Sequence, residues 1–431
     1  MDKVRTYNSD VVIVGSGAGG ATLAKELSGS GKKVLVVERG KRFKTIGRAK
    51  HALLYYDKFA LSKSIEGIII YRCIMPGGTT VCSCGNGVRA IENELSKLGI
   101  SLKTEFEEAE KELHVSPLGE HLLGLGTRRI MEAANSLGYS MFPMPKMMDQ
   151  SKCTSCGACI HGCITGSKWS SLNYLTTAIQ NGAKVLDNTN IERILIQEGK
   201  VLGVEGKSNG EKVIVNAKIV ILSAGGIGTP EILLNSGIEA GKKLFADIFI
   251  VTYGIHKDVG LKNEVTMGGV CEQFQKTKGF MLSPFVDNFL ALLSVMYFKD
   301  YSKIFKINNF LGIICKVHDE LNGGVTRDGK TSKVLTKKDF EKLENGFNIS
   351  KEILVAAGVK KESVFRTKPR GAHPGGTAAI GEVVDINQET KFKNLFISDA
   401  SVFPCVAGAP PIVTIVALSK RLSKMIIGSR F

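Results

Sequence analysis

The stretch from Asp10 to Gly40 constrains the fold of this chain more than any other segment. It opens with the uninterrupted apolar run Val11 to Val14, which is typical of a strand buried on both faces of a parallel sheet. Glycines with the spacing G-x-G-x-x-G follow, at Gly15, Gly17 and Gly20. The segment Ala21 to Leu27 then predicts a helix. Strand, glycine turn and helix in this order predict a β-α-β unit with a phosphate at the helix N-terminus.

A second apolar strand strengthens this prediction. Val34 to Val37 ends at Glu38, about 20 residues after the glycines, where an acid can accept hydrogen bonds from an adenosine ribose. The glycines permit a tight turn, a close approach to a pyrophosphate and close helix packing. An acid at Glu38 favours an unphosphorylated ribose, so FAD or NAD is expected before NADP.

Length and charge limit the class of protein. A chain of 431 residues can bury a sizeable core and is expected to form interleaved domains. The net charge of +16 has no accompanying basic stripe with interleaved aromatic residues, so nucleic-acid binding is not expected. An acidic electron carrier, an anionic membrane or a lysine-rich proteome explains the charge better. No long apolar span and no N-terminal signal core are evident, which predicts a cytoplasmic protein.

The remaining pattern predicts an α/β fold with a Rossmann-like parallel sheet and a second, antiparallel sheet. The predicted domains are 1–240 with an inserted cysteine-rich segment at about 145–170, a substrate domain at 241–365, and a return to the first domain at 366–431. Predicted helices cover Glu105–Leu113, Gly126–Leu137, Leu172–Gln180, Asp339–Gly358 and a segment from Ile412. Predicted strands cover Gly67–Met75, Ala183–Asp187, the meander 190–221, Phe249–Tyr253, Leu290–Phe298, Leu311–Val317 and Asn394–Ile397. The apolar and basic segment 289–317 has a second interpretation, a peripheral contact with a membrane surface.

Ten cysteines in a chain without an export signal indicate metal or redox chemistry rather than structural disulfides. The run C-x2-C-x2-C-x3-C, as found around iron–sulfur clusters, occurs at Cys153, Cys156, Cys159 and Cys163. A [4Fe–4S] cluster is predicted before a [3Fe–4S] cluster. Zinc is the competing interpretation, but zinc usually takes its ligands from separated pairs. The proline that follows the fourth cysteine in bacterial ferredoxins is Ile164 here, and only one copy of the run is present.

Several motifs together resemble the glucose-methanol-choline (GMC) flavin oxidoreductases. They are the N-terminal fingerprint, the loop Pro76 to Gly87, the run ILSAGGIGTPEILLNSG at 221–237, and the C-terminal HPGGTAAIGEVVD, NLFISDASVFP and APPIVTIVALSKR. The resemblance implies FAD as cofactor and a β-sheet substrate domain over the isoalloxazine ring. Carried over by position, it implies FAD contacts at Gly15, Gly17, Gly20, Glu38, Gly78, Thr79, Asn86, Ile191, Ala224, Asp399 and Pro411. The cysteine-rich stretch is also similar to that of FAD-dependent sugar dehydrogenases, where it carries a cluster, and of long-chain alcohol oxidases.

In the GMC family a hydride passes from an alcohol carbon to the flavin while a histidine takes the hydroxyl proton. His373 stands at that position, and an imidazole can accept a proton at neutral pH. A second histidine or asparagine usually follows, but the aligned residue here is Pro410, which has no polar side chain. His373 then works alone, or His318 or Tyr253 substitutes, or the substrate is not a simple alcohol.

The sequence therefore predicts an FAD and iron–sulfur dehydrogenase that oxidises a polyol, sugar or lipid alcohol. Electrons would leave through the cluster to an external carrier such as a ferredoxin. One alternative runs the electrons backward, from a ferredoxin-type donor to a C=C bond of an isoprenoid or lipid. Another is a non-catalytic electron-transfer subunit, although the presence of His373 argues against it.

Overall fold

The computed structural model describes residues 4–431, apart from the side chain of Lys50. Residues 1–3, with which the predicted N-terminal domain begins, lie outside the described part. The helices are α1 Ala18–Gly29, α2 Ala49–Tyr55, α3 Glu92–Lys97, α4 Lys103–Glu112, α5 Leu125–Ser136, α6 Ser171–Gln180, α7 Gly225–Asn235, α8 Gln275–Lys278, α9 Phe289–Val295, α10 Lys337–Ala356 and α11 Ile412–Arg430. The strands are β1 Val4–Val14, β2 Val34–Val37, β3 Ile69–Ile70, β4 Val115–Pro117, β5 Phe142–Pro143, β6 Pro145–Met147, β7 Lys184–Leu186, β8 Thr189–Gln197, β9 Lys200–Ser208, β10 Glu211–Leu222, β11 Lys242–Leu244, β12 Phe249–Ile255, β13 Gly269–Val270, β14 Phe280–Pro284, β15 Phe310–Val317, β16 Gly323–Val325, β17 Thr331–Ser332, β18 Phe365–Arg366, β19 Arg370–Gly371 and β20 Leu395–Ile397.

The first sheet is built around the predicted nucleotide-binding unit. Its strand order is β7-β2-β1-β10-β9-β8, with β20 also paired to β10. Strands β7, β2, β1, β10 and β20 run parallel, whereas β8, β9 and β10 form an antiparallel meander. The segments Val11–Val14, Val34–Val37 and Ile219–Leu222 are buried throughout. The predicted buried parallel strands are therefore confirmed, and their carboxyl ends meet at one edge, where ligands bind in sheets of this kind.

The second sheet is mainly antiparallel, with the order β14-β15-β12-β19-β3 and with β18 paired to β12. Strand β15 carries Lys316 within the buried run Phe310–Val317, and β19 precedes His373. A parallel Rossmann-like sheet beside an antiparallel sheet confirms the predicted fold class. The second sheet places polar side chains opposite the carboxyl ends of the first.

Two predicted strands are wrong in extent or type. The run Leu290–Phe298 is not a strand, because Phe289–Val295 forms α9 and a 3₁₀ segment, Phe298–Asn309, follows. The side chain of Asn288 caps this helix by accepting a hydrogen bond from the Ala291 amide at 2.8 Å. In the predicted strand Gly67–Met75, only Ile69–Ile70 is paired as a strand. The other predicted helices and strands are present, with ends shifted by a few residues.

The last helix, α11, joins the C-terminal segment to the N-terminal unit. Lys420 is 3% exposed and its ammonium lies 2.9 Å from a Glu26 oxygen and 2.7 Å from a Glu112 oxygen. Glu112 also contacts Lys25 at 2.6 Å. Helices α1, α4 and α11 are thus held by one group of charges around Lys420. Within residues 4–431, no helix combines the length and the apolar character needed to cross a membrane.

Candidate active site

A cavity of about 530 Å³ lies at the carboxyl ends of the parallel strands, a size within the usual range of roughly 300–1,000 Å³ for ligand sites. Predicted site residues that line it are Gly15, Gly17, Glu38, Gly78, Thr79, Asn86, Ile191, Ala224, His373, Asp399 and Pro411. Gly20 does not line it, because it packs α1 against the sheet: a Cβ there would meet the Gly15 carbonyl oxygen at 2.0 Å. The predicted cysteine ligands lie outside the cavity wall, although Ile160 of the same loop lines it.

The glycine turn between β1 and α1 leaves room for a ligand. Gly15 has φ +99°, and a Cβ there would meet the Ser223 carbonyl oxygen at 2.3 Å. A Cβ on Gly17, in contrast, would meet nothing within 4 Å. Since Gly17 lines the cavity and caps the N-terminus of α1, the open space beside it suits a phosphate.

Buried carboxyl groups flank the glycine turn. The Glu38 carboxylate accepts hydrogen bonds from the Ser16 hydroxyl at 2.6 Å and the Gly40 amide at 2.7 Å. Burial raises the pKa of Glu38, and these donors oppose that shift. Asp399 accepts from the Gly225 amide at 2.8 Å and the Thr229 hydroxyl at 2.5 Å, which fixes the start of α7 beside the cavity.

The cavity wall also carries polar atoms that have no partner among the described residues. The Tyr71 hydroxyl and the Arg72 Nη1 are both buried without a hydrogen-bond partner, and both residues line the cavity. A buried donor without a partner costs about 1–3 kcal/mol, so a bound polar ligand would relieve the cost. Together with the glycine turn and Glu38, these atoms fit a dinucleotide such as FAD.

His373 lies in the wall with two charged partners. Its Nδ1 is 2.9 Å from Asp247 Oδ2 and 3.4 Å from Lys316 Nζ. A carboxylate can only accept, so Nδ1 carries the proton and Nε2 is left as an acceptor. Lys316 Nζ is 3.5 Å from Asp247 Oδ2, and both side chains are almost fully buried. Lys316 lines the cavity, so its long contacts leave N–H groups available to a ligand.

The protonation states follow from this arrangement. Burial opposes the charge of Asp247, but the Lys316 ammonium, the His373 ring and the Gly408 amide hold its pKa below its usual range. Burial lowers the pKa of His373, and the Lys316 charge lowers it further against the pull of Asp247. His373 is therefore neutral at neutral pH and ready to accept a proton at Nε2.

The other candidates for the second polar group, Tyr253 and His318, do not line the cavity. Pro410 lines it, as expected for the aligned position. Tyr253 does not line it, and its hydroxyl donates to Asp287 at 2.7 Å. His318 does not line it either, and it packs instead against Gly408. The polar side chain beside His373 is Lys316, which no sequence motif indicated.

The four cysteines of the predicted cluster, Cys153, Cys156, Cys159 and Cys163, are free thiols of one loop. Within residues 4–431, no group of three or more His, Cys, Asp or Glu side chains is placed to hold a metal ion. Cys156 is exposed, and Cys163 Sγ accepts a hydrogen bond from the Lys168 amide at 3.4 Å. The iron–sulfur cluster therefore remains a prediction from the cysteine spacing.

The cysteine loop nevertheless adjoins the cavity. The hydroxyl of Tyr55 donates to the His161 carbonyl, and that of Tyr56 donates to the Ile160 carbonyl at 2.9 Å. On the other side, the Asn288 amide lies 2.8 Å from His161 Nε2. The loop is thus held between α2 and the start of α9.

Two buried lysines, also missed from the sequence, fix the glycine-rich loop at 78–87. Lys146 is fully buried, and its ammonium donates to the Thr266 carbonyl at 2.6 Å and the Asn86 side chain at 2.7 Å. Lys168 donates to the Ser83 carbonyl at 2.7 Å. Burial lowers the pKa of Lys146 to about 8. A lone lysine inside an apolar run, as Lys316 in FLGIICKV, is the signal that would have pointed to such groups.

The fold and the cavity define a flavoprotein with a Rossmann-like FAD-binding domain. Family models agree: residues 8–52 match an FAD binding domain, and residues 98–262 and 331–419 match the N- and C-terminal GMC oxidoreductase models. The chain belongs to the GMC oxidoreductase family and is an FAD-dependent oxidoreductase.

Individual relatives are consistent with this assignment. An uncharacterized protein of Methanocaldococcus jannaschii, MJ1450, is 33% identical over 97% of this chain and 100% of its own length. The long-chain-alcohol oxidase FAO4B of Arabidopsis thaliana is 23% identical over 99% of this chain and 68% of its own. Among solved structures, pyridoxine 4-oxidase from Mesorbium loti has a TM-score of 0.73 at 15% identity, covering 98% of this chain and 99% of its own. Formate oxidase of Aspergillus oryzae has a TM-score of 0.74 at 15% identity, with 99% of each chain covered.

Proposed function

We propose that this protein is an FAD-dependent dehydrogenase that oxidises an alcohol group. The observation that carries the proposal is the Asp247–His373–Lys316 group in the wall of the cofactor cavity. Family membership and the alcohol oxidases among the relatives support it. FAD, when bound, supplies a two-electron acceptor for the hydride of the carbinol carbon.

His373 is the proposed base. Its Nε2 takes the hydroxyl proton while the Nδ1 proton stays directed at Asp247. The Asp247 carboxylate stabilises the imidazolium that results, in the way an acid orients and supports a catalytic histidine. Asp247 itself is held by the Gly408 amide at 2.9 Å, so the ring has one defined orientation.

Lys316 is the proposed donor to the substrate oxygen. The family position that usually supplies this second polar contact is Pro410, which cannot donate a hydrogen bond. The Lys316 ammonium lies 3.4 Å from His373 Nδ1 and lines the same cavity, which supports a contact with the oxygen of a substrate held at Nε2. A cation there would stabilise the charge that develops when the hydroxyl loses its proton.

We further propose that the electron acceptor is not oxygen but an external carrier, reached through an iron–sulfur cluster on the cysteine loop. The spacing of Cys153, Cys156, Cys159 and Cys163 supports this, as does the contact of their loop with the cavity. When bound, such a cluster would supply one-electron transfer. No group of side chains placed to hold a metal ion is found among residues 4–431, so the four thiols would have to come closer together to bind the cluster.

Anaerobic titration tests the reaction. We expect alcohols to bleach the flavin absorbance of the purified protein, and His373→Ala to slow bleaching by roughly 10²–10⁴-fold with FAD still bound. His121→Ala is the matched control, because His121 is exposed and lies outside the cavity wall, and it should bleach like the parent protein. Unchanged bleaching in His373→Ala would remove this residue from the reaction.

The direction of electron flow and the cluster have separate readouts. Reoxidation of the reduced protein by an enoyl or polyprenyl compound, without bleaching by any alcohol, would support the reverse reaction instead.

For the cluster, oxygen-free purification should give iron and acid-labile sulfide in the ratio of a [4Fe–4S] cluster. A yellow protein free of iron would refute the cluster and leave the FAD chemistry standing.

A further inference from the structure

Two surface segments border the mouth of the cavity, and we call them the lips. The first lip is residues 53–65 and the second is residues 289–306. Leu53, Tyr56 and Ala60 of the first lip, and Phe289, Leu290 and Ala291 of the second, line the cavity. Leu290 lines the cavity and is still 52% exposed, which places it at the opening.

The lips carry large apolar side chains that are exposed to solvent. In the second lip, Phe298 is 87% exposed and Phe305 is 86% exposed. In the first, Ile65 is 69% and Phe59 is 62% exposed. Leaving such side chains in water forgoes the stabilisation that their burial would give. Several of them around one opening mark an interaction surface rather than scattered exposure.

The lips are also basic. Lys58, Lys63, Lys299 and Lys306 are exposed and have no acidic partner among residues 4–431. The acids of the lips are already paired, Asp57 with Arg72 at 2.7 Å and Asp300 with Lys303 at 2.8 Å. The two segments that border the opening therefore carry uncompensated positive charge together with exposed aromatic and aliphatic side chains.

From this combination we propose that the lips dock onto an anionic lipid bilayer, with the mouth of the cavity facing the membrane. Apolar side chains beside lysines are the pattern of an interfacial contact. Lysines near an anionic surface add an electrostatic attraction to the lipid headgroups. A second copy of the chain suits the lips less well, because it would bring lysines against lysines. The inference that the substrate is a lipid alcohol rests on the proposed function, whereas the docking does not.

Vesicle sedimentation tests the docking. The intact protein should sediment with vesicles of phosphatidylcholine and phosphatidylglycerol, and at least tenfold less with phosphatidylcholine alone. The double variant Phe298→Ser, Phe305→Ser should bind the anionic vesicles at least tenfold more weakly. Leu125→Ser is the matched control, since Leu125 is 71% exposed but lies outside both lips, and its binding should not change. Lys299→Gln with Lys306→Gln should weaken binding and reduce its salt dependence.

The outcomes separate docking from chemistry. Phe298 and Phe305 do not line the cavity, so the double variant should oxidise a water-soluble alcohol at the parental rate. Vesicle binding that is absent, or unchanged in the double variant, would overturn the proposal whatever the activity. A dimer in solution that depends on Phe298 and Phe305, without vesicle binding, would assign the lips to a second copy and overturn it as well.

Discussion

His373 takes its chemical state from residues that lie far from it in the sequence. Asp247 sits 126 positions away and Lys316 sits 57 positions away, yet both contact the same ring nitrogen. Asp247 fixes the tautomer, and the Lys316 charge together with burial lowers the pKa of His373. His373 is thus kept neutral by the residues around it, and not only by the ordinary pKa of an imidazole.

Asp247→Asn should impair catalysis without loss of FAD. An amide can donate to Nδ1, which would favour the tautomer with the proton on Nε2 and so remove the acceptor. We expect alcohol-driven flavin reduction to fall by roughly 10²-fold or more. Stopped-flow absorbance measures the rate, and the flavin content after gel filtration reports cofactor binding. A parental rate would show that His373 is not held by Asp247 during the reaction.

The pH dependence should identify Lys316. Since only neutral His373 accepts a proton, the rate should fall as pH drops through a pKa below the ordinary 6.5. In Lys316→Met the positive charge is lost while Asp247 remains, so the pKa of His373 should rise. The fall in rate should then begin at a higher pH. The plateau rate should also fall, by roughly tenfold. Lys262→Met, an exposed lysine outside the cavity wall, should leave the profile in place.

At the scale of elements, the glycine turn between β1 and α1 was predictable because its information is local. Strand, turn, helix and acid lie within one short stretch, and each residue type has one physical role there. The helix α9 was mistaken for a strand because a short apolar run fits either structure. Its signal was Asn288, the capping residue before the run. The contact of Asp247 with Lys316 had no local signal, since it depends on the pairing of β15 with β12, which Asp247 precedes.

Gly17→Ala should weaken FAD binding with little effect on the apoprotein. A Cβ at this position meets no protein atom within 4 Å, but it would occupy the space beside the N-terminus of α1. We expect the dissociation constant for FAD to rise at least tenfold, measured by flavin fluorescence, with an unchanged urea midpoint for the apoprotein. Gly31→Ala is the control: φ is +79° with free space around it, so it should cost about 1 kcal/mol of stability and leave FAD affinity alone. Equal affinity in both variants would place the phosphate elsewhere.

At the scale of the whole molecule, charges on three helices hold the two ends of the chain together. The buried Lys420 on α11 lies between Glu26 of α1 and Glu112 of α4. Burial opposes ionisation of Glu112, but hydrogen bonds from Lys25, Lys420 and Tyr174 lower its pKa to about 2. A carboxyl group with a lowered pKa stabilises the fold above its ordinary value of 4.5 and loses that contribution as pH falls toward 2.

Lys420→Met should therefore lower the free energy of unfolding at neutral pH by about 1–3 kcal/mol. This loss is smaller than the loss from breaking a fully buried ion pair, because Glu112 is partly exposed. The loss should shrink at about pH 3, where Glu112 is partly protonated in the variant. Urea unfolding at both pH values measures this. Lys424→Met is the control, as Lys424 pairs with Glu105 and Glu108 but is 47% exposed, and it should cost under about 1 kcal/mol. A pH-independent loss in Lys420→Met would mean that packing, not charge, fixes α11.

The wall of the cofactor cavity runs from Val14 near one end of the chain to Ile415 near the other. During synthesis the glycine turn leaves the ribosome long before β20 and α11 exist to close the pocket. FAD can be enclosed only once the segment with Asp399 and Ile415 has been made. A product that ends before this segment would lack part of the FAD-binding wall and should not retain flavin.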